Sequence, residues 1–284
     1  MEVLPAVLRV TAPNAGPYTF TGTNSFIIGR DRVAILDPGP ADEGHRQALL
    51  AAIAGRPVEA ILLTHTHKDH SAGVASLKAA TGAPIWFEGA HRLSRSRRAF
   101  EVNVLAGDCD WALQPDRILH DGEVFTAGGV EMLAVATPGH CANHMAYGLA
   151  GEDWLFSGDH IMGWNSTLVA VPDGSMAAYL DSLRKMIALP YRSYLPAHGG
   201  PIADGRAYAR ALLAHRMLRN QQIIDAVGGG ARTVEQLLAR IYPTLSIALR
   251  PAAAMTLKAH IEYLDTQGAI HAHRTLFGLR LAPR

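Results

Sequence analysis

The chain has 284 residues, 49% of them hydrophobic, and a formal net charge of +1 at pH 7. That suffices for a large core with a smaller second unit, and the near-neutral balance argues against a uniformly acidic or basic partner. No apolar run approaches the ~20 residues that span a bilayer, and the first residues lack the basic and apolar regions of an export signal, so a soluble cytoplasmic protein is expected.

Residues 26–29 and 33–37 are short apolar runs joined by Arg30-Asp31-Arg32 and predict a hairpin. Asp37-Pro38-Gly39-Pro40 ends the second strand. Asp42 then caps a helix to Ala54, with Gly55 just beyond it. The apolar run 60–63 predicts a buried strand leading straight into Thr64-His65-Thr66-His67-Lys68-Asp69-His70. Ser71 is expected to cap a helix to about Ala80, ended by Gly82. After the run 84–87 comes a basic stretch with Arg92, Arg95, Arg97 and Arg98. Strands follow at 124–126 and 130–136 around Gly128-Gly129, and at 145–149 and 154–157 around Gly151-Glu152-Asp153. A helix at 175–189 and a short strand at 194–196 lead to His198. Cys109 and Cys141 form no CxxC pair and read as free thiols in a reducing compartment. Cys141 adjoins a candidate ligand but reads as a small packed residue.

The composition changes near Gly205. Helical patterns at about 206–227, 233–241 and 251–267 precede segments 269–273 and 276–281, either side of Arg274-Thr275. Three helices and a terminal hairpin predict a winged-helix-like unit over 205–284, beside a main domain of 1–204; the plainer alternative is a helical cap. Residues 205–284 carry 11 Lys/Arg against 4 Asp/Glu, and residues 1–204 carry 15 against 21. The asymmetry suits a polyanion binder, or simply solvated helices.

The chemistry concentrates in His65, His67, Asp69 and His70. Imidazole and carboxylate suit zinc, manganese or iron. Residues i and i+2 of an extended segment point the same way, and Asp69 and His70 follow on the turn into a helix. Clustered histidines are costly without a partner. Three later residues repeat one device, an apolar strand, a Gly or Pro turn, then a donor: His140 in Thr137-Pro138-Gly139-His140, Asp159 in Ser157-Gly158-Asp159, and His198 in Pro196-Ala197-His198-Gly199. Asp159 has two oxygens and so can bridge two metals.

These motifs, in this order and with Asp37 in Leu36-Asp37-Pro38-Gly39, resemble the metallo-β-lactamase superfamily over residues 1–204. The resemblance implies an α/β fold, an αββα sandwich with two divalent metal ions at one sheet edge. It puts His65, His67 and His140 on the first metal, Asp69, His70 and His198 on the second, and Asp159 between them. A water between such metals becomes a nucleophile near neutrality. Asp69 is then the expected orienter of that water, and His144 either a catalytic donor facing substrate or a structural histidine.

With the N-terminal residues 11–24 and the C-terminal unit, the chain resembles the lactamase-beta-like endoribonuclease branch. That implies phosphodiester substrates such as single-stranded RNA, contacted by Arg92, Arg95, Arg97 and Arg98. A thioester hydrolase of the glyoxalase II type shares all seven ligands and is the alternative. A nucleic-acid-binding regulator with a vestigial metal domain is a third reading, disfavoured by the intact ligand set. Oligomeric state is not legible, and no membrane partner is expected.

Overall fold

The structure, a computed structural model, describes residues 1–99, 101–275 and 278–284. Strands β1 (Glu2–Leu4), β2 (Val7–Thr11), β3 (Asn24–Ile28), β4 (Val33–Leu36), β5 (Val58–Leu62), β6 (Ile85–Phe87) and β7 (Arg117–Ile118) form one sheet in sequential order. A second sheet contains β8 (Val124–Ala127), β9 (Val130–Ala136), β10 (Met145–Leu149), β11 (Trp154–Gly158) and β12 (Ser193–Pro196), ordered β12-β11-β10-β9-β8. The hairpin read at 26–37 is β3–β4, with Ile27 opposite Ile35.

Strands β3 and β4 of the first sheet are buried at every position because both faces are covered. Phe26, Ile28, Leu36 and Leu62 point inward against Met132, Tyr147 and Phe156 of the second sheet. Their alternates Ile27, Ile35, Ile61 and Leu63 pack outward under α1 (Glu43–Ile53) and, beyond the short α2 (Lys68–Ser71), α3 (Val74–Thr81). On the other outer face, Val135, Ala146 and Leu155 are covered by α4 (Met176–Ala188) and by the start of α5 (Gly205–Gly228). The result is the expected αββα sandwich, an α/β fold.

Helix ends follow the sequence signals with one exception. Asp42, Ser175, Asp204 and Thr233 each accept a backbone N–H in the first turn. Ser71 does not cap a helix. The chain already turns helically at Lys68, and the Ser71 hydroxyl donates back to His67 O at 3.1 Å.

Helices α5, α6 (Val234–Ile241) and α7 (Arg250–Thr266) and the hairpin β13 (Ile270–Thr275)–β14 (Gly278–Pro283) follow in the expected order. Arg274 and Thr275, expected in the turn, are paired β13 residues, with Thr275 opposite Gly278. Leu276, expected to begin the last strand, lies outside the described residues. Helix α5 serves two cores: Ala209 and Leu212 pack with α4, whereas Ile223 and Val227 pack with Leu237, Leu257, Ile261 and Leu281. Among the described residues, no helix is long and apolar enough to cross a membrane.

Candidate metal centre and active-site cavity

The loops after β5, β9, β11 and β12 meet at one end of the sandwich and bring all seven expected ligands together. His65 Nε2 lies 3.0 Å from His67 Nδ1, and His140 Nε2 lies 2.8 Å from the same Nδ1. His198 Nε2 is 3.2 Å from Asp69 Oδ2, and His70 Nε2 is 3.4 Å from that oxygen. Asp159 stands between the sets. Its Oδ1 is 3.2 Å from His198 Nε2 and 3.5 Å from His70 Nε2, while its Oδ2 is 3.7 Å from His140 Nε2.

Whether cations fit can be judged from the remote nitrogens. His70 Nδ1 donates to Asp37 Oδ2 at 3.0 Å, and His67 Nε2 to Asp173 Oδ2 at 2.9 Å. His140 Nδ1 donates to Leu168 O at 2.7 Å, and His198 Nδ1 to Gly22 O at 3.3 Å. The Thr64 hydroxyl donates to Asp37 Oδ2 at 2.7 Å, so it can only accept from His65 Nδ1, 3.0 Å away. Each outward nitrogen therefore carries the proton, and each inward nitrogen offers a lone pair, the form a metal ligand needs. His70 Nε2 and Asp159 Oδ1 are buried without a hydrogen-bond partner. Two groups, His65/His67/His140 and Asp69/His70/His198, each keep their donor atoms within 4.8 Å of one another. The donor set fits two divalent cations.

Electrostatics agree. Burial, reinforced by the neighbouring His70 and His67, keeps His65 well below its ordinary pKa and neutral. Burial and His67 likewise bring His140 down to about 4. For His198 burial opposes the charge, but Asp159 and Asp69 outweigh it and raise the ring to about 10. Without a cation, His198 and His70 take up protons beside the ionised Asp69 and Asp159, and their inward lone pairs become available when a cation supplies that compensation instead.

Asp37 anchors the loop from behind. It accepts from Thr64 N at 2.7 Å while holding His70, and it sits at φ 52°, a backbone region that non-glycine residues adopt at a cost. Sequence reasoning missed three further organisers. Asp173 holds both His67 and His91, the latter at 2.8 Å, and burial notwithstanding these bonds keep it well below the usual carboxylate range. Asn24 donates to Pro196 O and Gly199 O, pinning the His198 loop to β3. His91 also contacts the Thr66 hydroxyl. Asp173 lies 106 residues from His67, so no local spacing could reveal it.

His144 does not face substrate. The ring is 1% exposed; Nδ1 donates to Thr137 Oγ1 at 2.8 Å, and Nε2 accepts from Asp159 N at 3.0 Å. It fixes the Asp159 backbone and has no proton to offer to the cavity. Cys141 is buried and hydrogen-bonded to Asn143, apart from the donor cluster. Cys109 forms a third group with His67 and Asp173. Burial, with Asp173 beside it, pushes that thiol up, and the carboxylate is already engaged by two histidines.

Asp69, His140, Asp159 and His198 line a cavity of about 720 Å³. Asp69 is the most open of the candidate ligands, with 29% of its side chain exposed. Leu105, Met162, Trp164, Leu245, Leu249 and Met255 make much of the wall apolar, and α5, through His215, Arg216 and Arg219, adds to the side formed by α7 and the segment between α6 and α7. Pro17, Tyr18 and Thr19 contribute from the N-terminal loop, and Phe20 stacks on Trp164 with ring centres 4.9 Å apart. The basic stretch is elsewhere. Arg92 pairs with Glu88, Arg95 with Glu101 and Glu262, and Arg98 with Glu262. None of Arg92, Arg95, Arg97 and Arg98 lines the cavity.

Fold and donor set define a hydrolase of the metallo-β-lactamase type. The profile of the Metallo-beta-lactamase superfamily matches residues 18–198, and the chain belongs to that superfamily. Among its relatives is the lactamase-like protein aptB of Emericella nidulans, 29% identical over 266 residues, covering 89% of this chain and 79% of that protein. Another is the atrochrysone carboxyl ACP thioesterase AacuM of Aspergillus aculeatus, 29% identical over 230 residues, covering 80% of this chain and 66% of that one. The crystal structure of a metallo-beta-lactamase family protein from Thermus thermophilus is 27% identical, with TM-score 0.79 and 100% coverage of both chains. The endoribonuclease branch, to which the sequence pointed first, is not among these relatives.

Proposed function

We propose that this protein is a dinuclear metal-dependent thioesterase acting on a thioester with an extended, largely apolar acyl group. The observation that carries this reading is the apolar cavity that opens onto Asp69, Asp159 and His198. A single-stranded RNA site would need exposed cations and stacking aromatics along a groove. Here Arg92, Arg95 and Arg98 are already neutralised by carboxylates. The carrier-protein thioesterase among the relatives points the same way. The C-terminal unit is then read as a wall of the cavity; its winged-helix-like order of elements needs no nucleic-acid role.

His65, His67 and His140 would hold one cation, Asp69, His70 and His198 the second, and Asp159 both; nitrogen and oxygen donors without thiolate suit zinc, manganese or iron, and zinc is the cation used in the tests. Bound there, the cations would lower the pKa of water and polarise a carbonyl oxygen. The chain's own groups do the rest. Asp69, open to the cavity and near the Thr23 hydroxyl at 3.5 Å, accepts a hydrogen bond from the attacking water and orients it. Asp37 and Asp173 keep His70 and His67 in the correct tautomer. The apolar wall excludes water and positions the acyl chain. A thiol has a pKa near ~8.5, so thiolate departs without a proton donor. That accords with a His144 withdrawn from the cavity.

The test is a parallel assay of the purified, zinc-loaded protein against decanoyl-N-acetylcysteamine, S-lactoylglutathione, a single-stranded RNA and bis(p-nitrophenyl) phosphate. The decanoyl thioester should be the preferred substrate. RNA cleavage with no thioester turnover would contradict the proposal.

A further inference from the structure

Several arginines of this molecule meet carboxylates, as Arg32 meets Glu59, Arg95 meets Glu101 and Glu262, and Arg117 meets Glu123, and others, such as Arg56, Arg232 and Arg240, meet backbone carbonyls at the surface. Arg216 and Arg219 stand one turn apart on α5. Both line the cavity that holds Asp69 and Asp159, and among the described residues neither makes an ion pair. Arg216 is 3% exposed; its Nη2 donates to Thr167 O at 2.5 Å, its Cζ lies 5.1 Å from the Tyr179 ring centre, and its Nε has no acceptor. Arg219 lies over Tyr242, with Cζ 4.1 Å from the ring centre, and its buried Nε also has no acceptor. Burial lowers the Arg219 pKa, and the neighbouring Arg216 lowers it further.

A buried cation without a counter-ion is costly, and two side by side repel. Aromatic faces hold a guanidinium plane in place but do not replace an anion. The feature that resolves the arrangement is an oxyanion accepting the free N–H groups, for which the rigid, planar guanidinium fork is suited. We propose that Arg216 and Arg219 form an oxyanion-binding subsite of the cavity, recognising a carboxylate or phosphate that the substrate carries away from its scissile thioester. The substrate side of this inference rests on the thioesterase reading; the anion site itself does not.

The oxyanion has two possible sources, a carboxylate on the acyl group or the phosphate of a phosphopantetheine arm. Four thioesters separate them: decanoyl and 9-carboxynonanoyl groups, each on N-acetylcysteamine and on phosphopantetheine. The native protein should favour one charged form over its neutral counterpart by about tenfold or more in kcat/KM. Arg219→Gln and Arg216→Lys should each erode that ratio. Preference for the carboxylate assigns the acyl group; preference for the phosphate assigns the arm. Calorimetry on the zinc-loaded protein with decanedioate and with phosphopantetheine reads the subsite without turnover, and one of the two should bind about tenfold more weakly after Arg219→Gln. Should Arg216→Lys fail to fold, Arg219→Gln, at a half-buried position, decides alone. No charge preference and no weakening of either probe would overturn the subsite, as would a preference that both substitutions leave unchanged. Arginine-dependent probe binding without turnover of any thioester would uphold the subsite and reject the thioesterase reading.

Discussion

Each imidazole at the candidate metal centre is oriented by an oxygen behind it, and those oxygens are where single substitutions should speak most clearly. Asp173 orients His67 from 2.9 Å. Asp173→Ala frees that ring to rotate and should weaken metal affinity about 10- to 100-fold, measured by competition with a chromogenic chelator; unchanged affinity would show that His67 needs no orienting partner. Gly158 is the second sensitive point. It adopts φ +52°, and a Cβ there would sit 2.5 Å from His144 Nε2 and 2.9 Å from Thr64 Cβ. Gly158→Ala should cost about 1–3 kcal/mol in urea denaturation and reduce zinc content by shifting Asp159. The seven candidate donors were legible because four follow one apolar strand directly and the other three each follow an apolar strand and a Gly or Pro turn. Asp173, Asn24 and the true role of His144 were not, because their partners are set by tertiary contact.

At the level of elements, the stretch after β6 is tied to the C-terminal unit by charge. Arg95 joins Glu101 and Glu262 of α7, and Arg274 of β13 reaches Glu101 at 3.1 Å. Arg95 above all holds the buried Glu101 carboxyl down from 4.5 to about 2. A depressed carboxyl contributes stability above its unfolded pKa and loses it as pH falls through the folded one. This contribution is therefore full above pH 4.5 and fades towards about 2. Glu101→Gln should cost about 1–2 kcal/mol at pH 7, and the difference from the native protein should shrink across that acid window in denaturant titrations; a constant difference would contradict the ion-pair account. The same contacts explain why a basic stretch read as a polyanion surface is internal cement: charge is visible in sequence, pairing is not. Central strands were legible from apolar runs, the first helix from its cap Asp42, and the later helices from their helical patterns. The short β1 and β7 carried too few residues for a pattern. Ser71 misled because a helical turn had already begun at Lys68.

Across the whole molecule, the candidate metal centre sits at the ends of β5, β9, β11 and β12, and α5, α7 and the segment between α6 and α7 line one side of the cavity before it. Cations that bind only the folded chain stabilise it by mass action. Removing them with a chelator should lower Tm, and adding back two equivalents of zinc per chain should restore it; saturation at one equivalent would contradict the dinuclear reading. The central claim is that this partly open cavity, with its largely apolar wall, selects a long acyl thioester. The measurement that tests it most directly is kcat/KM of the zinc-loaded protein across N-acetylcysteamine thioesters from acetyl to decanoyl. Each buried methylene is worth about 0.8 kcal/mol, so the account predicts a rise of up to about fourfold per methylene until the cavity is filled. A flat series, or one in which acetyl is hydrolysed fastest, would contradict it.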